Sequence, residues 1–239
     1  MIQSLLYAPP PFPEGATDVR QWISIVEEMN DTWEEAHKST LHQLNMASTL
    51  CLFYAYQKSP KASNSIQQFL SVLSDSSSRF SSPLGYIVAL SLFNFVIALY
   101  QLSLHCDTKS IDFLLKSFQQ AEKVLLILKN RWAFAEPIHF LALGHIYWLK
   151  NSPKKALSAW RSGINRVDQI SDNLKYLKAI LQVRIVRCSQ GSDALKTEAS
   201  EFLQSVGART ELTLLTGEDF SPIPINDDDD EEEIVFLQD

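Results

Sequence analysis

Glycine is scarce in this chain: seven in 239 residues. Chains rich in tight turns, such as all-β sandwiches, need more of it, and so do the loops that cradle phosphates with backbone N–H groups. No P-loop, dinucleotide fingerprint, G-x-S-x-G elbow or zinc-ligand spacing is found. Cysteine is scarce too. Cys51, Cys106 and Cys188 are odd in number, far apart, and each lies within or at the end of an apolar helical run. That pattern suits buried free thiols in a reducing compartment, so an intracellular location, cytoplasmic and also nuclear, is expected. A basic stripe is missing as well. The net charge is −7, but eight of the 28 acidic residues lie in Asp227–Glu233 and at Asp239. The rest of the chain is close to neutral, which argues against nucleic acid as a partner. The opening "MIQSLLYAPPPFPEG" has no basic start and reaches prolines after a short apolar run, so residues 1–17 read as an extended lead-in and not as a secretory signal.

The chemistry-bearing side chains do not gather. Of five histidines (His37, His42, His105, His139 and His145), the last pair are six apart and face different sides of a helix, so no shared metal is expected. His105 and Cys106 are adjacent and diverge on a helix, which makes them a poor nucleophile–base pair. Glu27, Glu28, Glu34 and Glu35 read as a solvated helix face. The expectation is a protein without catalytic residues, cofactor or metal.

What the sequence does contain is helical periodicity. Asp18 is placed to cap a run to Lys38 whose apolar face holds Trp22, Ile25, Val26, Met29 and Trp33. Further helices are predicted over Leu41–Gln57, to about Ser74, to Cys106, over Ser110–Lys129, Trp132–Lys150, Pro153–Asp168, Leu174–Cys188 and Asp193–Val206. In the helix from Ser110, residues Ile111, Leu114, Leu115, Phe118 and Ala121 are spaced for one face. Gly207 has the position of a helix C-terminal cap. Three connections look alike: "QKSPKAS", "LKNSPKKA" and "CSQGSDALK". The Ser-Pro pair at Ser152, and more weakly that at Ser59, fits a proline-directed kinase site, but both fall at predicted hairpin turns, which favours a helix start with Ser as N-cap and Pro in the first turn. From Phe80 to Cys106 there is no Asp, Glu, Lys or Arg, and Gly85 to Leu104 is long enough to span a bilayer. Asn94 and Gln101 inside it, and the lack of a basic flank, favour a helix buried in protein over a membrane span.

Phe140, Leu143, Gly144 and Tyr147 read F-x2-L-G-x2-Y, and after a turn Ala156, Trp160 and Gly163 read A-x3-W-x2-G. This resembles the tetratricopeptide repeat, in which small residues sit where two antiparallel helices approach closely. Phe stands for the family's first Trp, Trp for the second-helix Phe, and Asp168 where the family has Pro. The resemblance implies an all-α chain of antiparallel hairpins stacked as a right-handed α-solenoid, with 18–217 as the helical domain. It further implies a non-catalytic scaffold that binds a peptide or helix on a repeat surface. The ending "EFLQSVGARTEL", with Phe202, Gly207 and Ala208, and "WAFAEP" around Trp132 also look like the C-terminal helical region of soluble adenylyl cyclase type signalling proteins. That likeness implies a detached regulatory region of a nucleotide-cyclase or ATPase system.

The stretch 218–239 is predicted to be disordered, since seven adjacent like charges repel and bury nothing. Ile234, Val235, Phe236 and Leu237 follow the acids directly. An acidic tail commonly serves solubility, but that needs no four consecutive apolar residues; the arrangement also resembles a SUMO-interacting motif, in which an apolar strand adds to a sheet edge and flanking acids meet a basic rim.

Overall fold

A computed structural model describes residues 40–75, 85–105, 108–171, 174–188 and 193–216. The predicted helix over 18–38, the Ser-rich loop before Gly85, Cys106 and the acidic tail with Ile234–Leu237 lie outside the described residues. Among the described residues the chain is all-helical, with no strand. The helices are α1 Thr40–Tyr56, α2 Ala62–Asp75, α3 Gly85–Ser103, α4 Thr108–Leu128, α5 Ala135–Leu149, α6 Pro153–Ile170, α7 Lys175–Cys188, α8 Asp193–Ser205 and α9 Arg209–Thr216. Eight coincide with predicted helices. The ninth, α9, was not expected: it is eight residues long and three of them are threonine, a residue of low helix propensity.

The odd-numbered helices pack on the next and the next but one: α1 on α2 and α3, α3 on α4 and α5, α5 on α6 and α7, α7 on α8 and α9. The alternation shows in the burial. The odd helices α3 and α7 are covered nearly all round, with Val88 to Gln101 and Tyr176 to Val186 mostly buried. The even helices are one-sided. α4 buries Leu114, Phe118, Ala121, Leu125 and Leu128 and turns Asp112, Lys116, Gln120 and Lys123 to solvent. A 3.6-residue period is therefore visible in the even helices and erased in the odd ones. α3 is the one helix among the described residues long and apolar enough to cross a membrane, with a mean hydropathy of 1.7. Yet 72% of that stretch is buried against the other helices. Its apolarity is used by packing within the fold.

The turns explain how successive helices reverse. After α1, Lys58 takes φ 52° and the N–H of Ser59 donates to the carbonyl of Tyr54 at 2.9 Å. After α5, Asn151 takes φ 57° and Ser152 N–H donates to Tyr147 at 2.9 Å. These are the same left-handed C-terminal cap, each followed by Ser-Pro, as the likeness of their sequences predicts. Gly207 closes α8 in the same way, with φ 70° and Ala208 N–H bonded to Leu203 at 2.9 Å. The third predicted look-alike turn, 189–192, lies outside the described residues. Pro153 opens α6, but the Ser152 hydroxyl makes no capping hydrogen bond, so only half of the predicted helix-start device is present. α6 runs on past Asp168 to Ile170, because the residue there is not the proline that would break the ladder.

Lys58 and Asn151 carry the strain of a left-handed backbone, whereas Gly207 does not. Gly207→Ala is expected to lower stability by about 1 kcal/mol and Asn151→Gly to leave it level or raise it. Urea unfolding followed by circular dichroism measures both.

Candidate functional site

The seam between α5 and α6 is built around a missing side chain. A Cβ on Gly144 would stand 2.1 Å from Trp160 Nε1, so only glycine lets the indole lie across the helix. Trp160 is 1% exposed, and its Nε1 donates to the carbonyl of Leu141 at 3.3 Å. Ala156 is fully buried one turn earlier. Gly163 gives room in the same manner: a Cβ there would meet Leu181 at 3.0 Å and the Cβ of Phe140 at 3.3 Å. Small residues thus face large ones at this seam, Gly144 against Trp160 and Gly163 against Leu181 and Phe140. Phe140, Leu143 and Tyr147 are half-buried, and the deepest residues of the seam on the α5 side are Leu141, Ala142 and His145. Polar pairs brace neighbouring helices. His139 Nε2 meets Glu122 at 2.8 Å between α5 and α4, and Arg166 bonds Glu136 between α6 and α5. Lys178 of α7 reaches Asp168 at 3.1 Å and Glu198 at 3.0 Å. The latter pairs are partly exposed and contribute little each.

Behind this seam lies a polar cluster that the sequence reading did not single out. His145 is buried among rings from three helices: Tyr100 of α3, stacked at 4.7 Å, Phe118 of α4 at 5.3 Å, and Trp160 of α6 edge-on at 5.4 Å. Burial, followed by the nearby positive charge of Arg184, holds the His145 imidazole well below its usual range, so it stays neutral. Arg184 of α7 is 1% exposed. Its guanidinium carbon stands 3.3 Å from the centre of the Tyr100 ring, and its Nε, Nη1 and Nη2 have no hydrogen-bond partner among the described residues. Burial lowers its proton affinity, yet an arginine keeps its charge in any protein interior. The Tyr100 hydroxyl accepts from Arg187 Nη1 at 2.9 Å.

The counter-charge comes from α9. Glu211, 1% exposed, accepts a hydrogen bond from the Tyr56 hydroxyl at 2.6 Å and another from Tyr176. Burial first, and then the Glu211 carboxylate, raises both phenols well above their ordinary range. One buried cation and one buried anion therefore share the interior, and Glu211 has its hydrogen bonds while Arg184 does not. The two buried thiols are inert: burial pushes Cys51 and Cys188 up to about 12, so neither is a thiolate near neutral pH. Among the described residues no three His, Cys, Asp or Glu side chains converge as a metal site would need. The signal that could have found Arg184 was its place in "AILQVRIV", a lone charge inside an otherwise apolar run. Glu211 gives no such signal, since the threonines of 209–216 weaken the helical pattern around it.

Gly144→Ala is expected to cost about 1–3 kcal/mol by forcing Trp160 out of its slot. In a double-mutant cycle with Trp160→Phe, the combined loss is less than the sum, which denaturant unfolding resolves. A second prediction follows from His145. The unfolded chain takes up a proton on it near pH 6.5, which the fold refuses, so stability is full above that pH and falls as pH drops below it. Unfolding curves between pH 5 and 7.5 check this: His145→Gln flattens the acid-side slope by up to about 1.4 kcal/mol per pH unit. No protein-family model, no curated protein and no solved structure matches this chain.

Proposed function

We propose that the chain is a non-catalytic protein-interaction scaffold, a tetratricopeptide-like right-handed α-solenoid that binds a peptide or helix on its repeat surface. The observation that supports this reading is the packing order, in which each odd-numbered helix before the last meets its neighbour and its next but one, with one cap geometry recurring at Lys58, Asn151 and Gly207. Repetition of hairpins with one-sided outer helices leaves an extended surface free for partners. Leu126 and Ile127, 44% and 56% exposed at the end of α4, add apolar area to that surface. The tail extends the reading: Ile234, Val235 and Leu237 form a docking strand for a partner's sheet edge, SUMO or a SUMO-like domain, and Asp227–Glu233 steer it to a basic rim.

Affinity capture with the full chain, followed by mass spectrometry, separates this from the regulatory-region reading. Recovery of a cyclase or NTPase would favour the latter, and nucleotide turnover by the purified chain alone would overturn the absence of catalysis. For the tail, titration with SUMO is expected to show binding that weakens with added salt and is lost when Ile234, Val235 and Leu237 are all changed to alanine. Binding that survives the triple change removes the docking strand.

A further inference from the structure

The outer face of α4 joins positive charge to open apolar area. Leu126 and Ile127 are the large apolar side chains left exposed among the described residues. Lys116 and Lys123 are exposed on the same helix, and the half-buried Lys129 and the exposed Arg131 follow just after it. At 3.6 residues per turn, positions 116, 123 and 127 fall within a stripe of about 40°. The buried positions Leu114, Phe118, Ala121 and Leu125, through which α4 packs on α3 and α5, lie on the opposite side. None of the four cations is in an ion pair among the described residues. Of the two carboxylates in α4, Glu122 is half-buried and engaged with His139, which leaves Asp112 exposed. The stripe is therefore cationic and ends on an apolar step.

Such a face fits a segment that is anionic and then apolar. The chain holds one, outside the described residues. Asp227–Glu233 are seven acids in a row, and Ile234, Val235, Phe236 and Leu237 follow them. No other run of acids in the sequence is longer than two. The order agrees, since cations precede Ile127 along α4 as acids precede the apolar residues along the tail. The scale agrees as well: Lys116 to Ile127 spans ~16 Å of helix, which about five extended residues cover. Reach is sufficient. From Thr216, the last described residue, to Ile234 the chain extends to ~60 Å, and a folded unit of this length is roughly 40 Å across.

We propose that the tail folds back on its own chain, with Ile234, Val235 and Leu237 over Leu126 and Ile127 and the acids of 227–233 along Lys116 and Lys123. Exposed ion pairs are weak singly, but a tethered segment meets its site at an effective concentration of about millimolar. The contact is autoinhibitory. The same apolar residues do not lie on α4 and on a partner's sheet edge together, so a partner must displace them. That consequence rests on the docking-strand reading above, whereas the fold-back itself is tested with no partner present.

The experiment uses the full chain with Phe236 replaced by photoreactive benzoylphenylalanine, irradiated alone and digested with trypsin. The expected product joins the tail to the peptide of residues 124–129, which holds Leu126 and Ile127, in a yield independent of protein concentration. Most of it is lost at about 1 M salt, where charges are screened within ~3 Å. Lys116→Glu combined with Lys123→Glu is expected to lower the yield about tenfold. Changing all seven acids of 227–233 to lysine in that variant restores it. Both cations are exposed, so circular dichroism is expected to show the fold unchanged. Products scattered over many peptides, or gathered on another helix, overturn the proposal. A yield that rises with concentration, with a dimer-sized band, overturns it too and assigns the tail to a second copy. A yield indifferent to salt and to charge reversal overturns the pairing of acids with Lys116 and Lys123.

Discussion

The interior of this protein depends on one close approach. Because Gly144 has no side chain, α5 and α6 come near enough for the Trp160 indole to lie across the helix backbone. From there the contacts run inward without a gap: Trp160 against His145, His145 against Tyr100, and Tyr100 under Arg184. Four ring or guanidinium systems from α6, α5, α3 and α7 are thus in contact in series. Interiors packed at crystal density pass such a displacement along and do not absorb it locally. A methyl group at Gly144 is therefore felt as far away as the arginine.

Charge at the end of that series is balanced across the fold and not within one hairpin. His145 stays neutral, Arg184 stays positive, and Glu211 supplies the negative charge from the last described helix. The phenols of Tyr56 and Tyr176 serve Glu211 as donors, and the raised position of both keeps them protonated for that task. Tyr100 serves the cations, with its ring towards Arg184 and its hydroxyl accepting from Arg187. A polar interior of this kind is kept in register by geometry, since each aromatic group comes from a different helix. It also sets an outer surface of one-sided helices apart from an inner polar cluster.

Much of the helical architecture was legible because apolar spacing and turn residues agree. The cap at Gly207, the likeness of the turns that hold Lys58 and Asn151, and the small residues Gly144, Ala156 and Gly163 all show in local pattern. What escaped has a common physical cause. α3 and α7 are buried all round, so their sequences lose the period that tells an inward face from an outward one, and Arg184 in α7 looks like any helical arginine unless its apolar neighbours are weighed. α9 escaped because threonines at 210, 213 and 216 weaken the local helical signal, and tertiary packing on α7 and α8 overrides it. The partners of Glu211 lie 155 and 35 positions away in the chain, at Tyr56 and Tyr176, a separation that no local pattern encodes.

A column of helices joined only to near neighbours could lose its last member and leave the first untouched, fraying from either end. The bond from Tyr56 to Glu211 removes that independence. It joins the close of the first described helix to the last, so opening at one terminus strips a donor from the other and exposes a carboxylate, then an arginine, to a changed field. Such a joint is entropically late to form, because almost the whole of the described chain must be ordered before its two halves meet. Once formed, it couples local equilibria at the two ends, so the described helices are expected to melt more nearly as a unit.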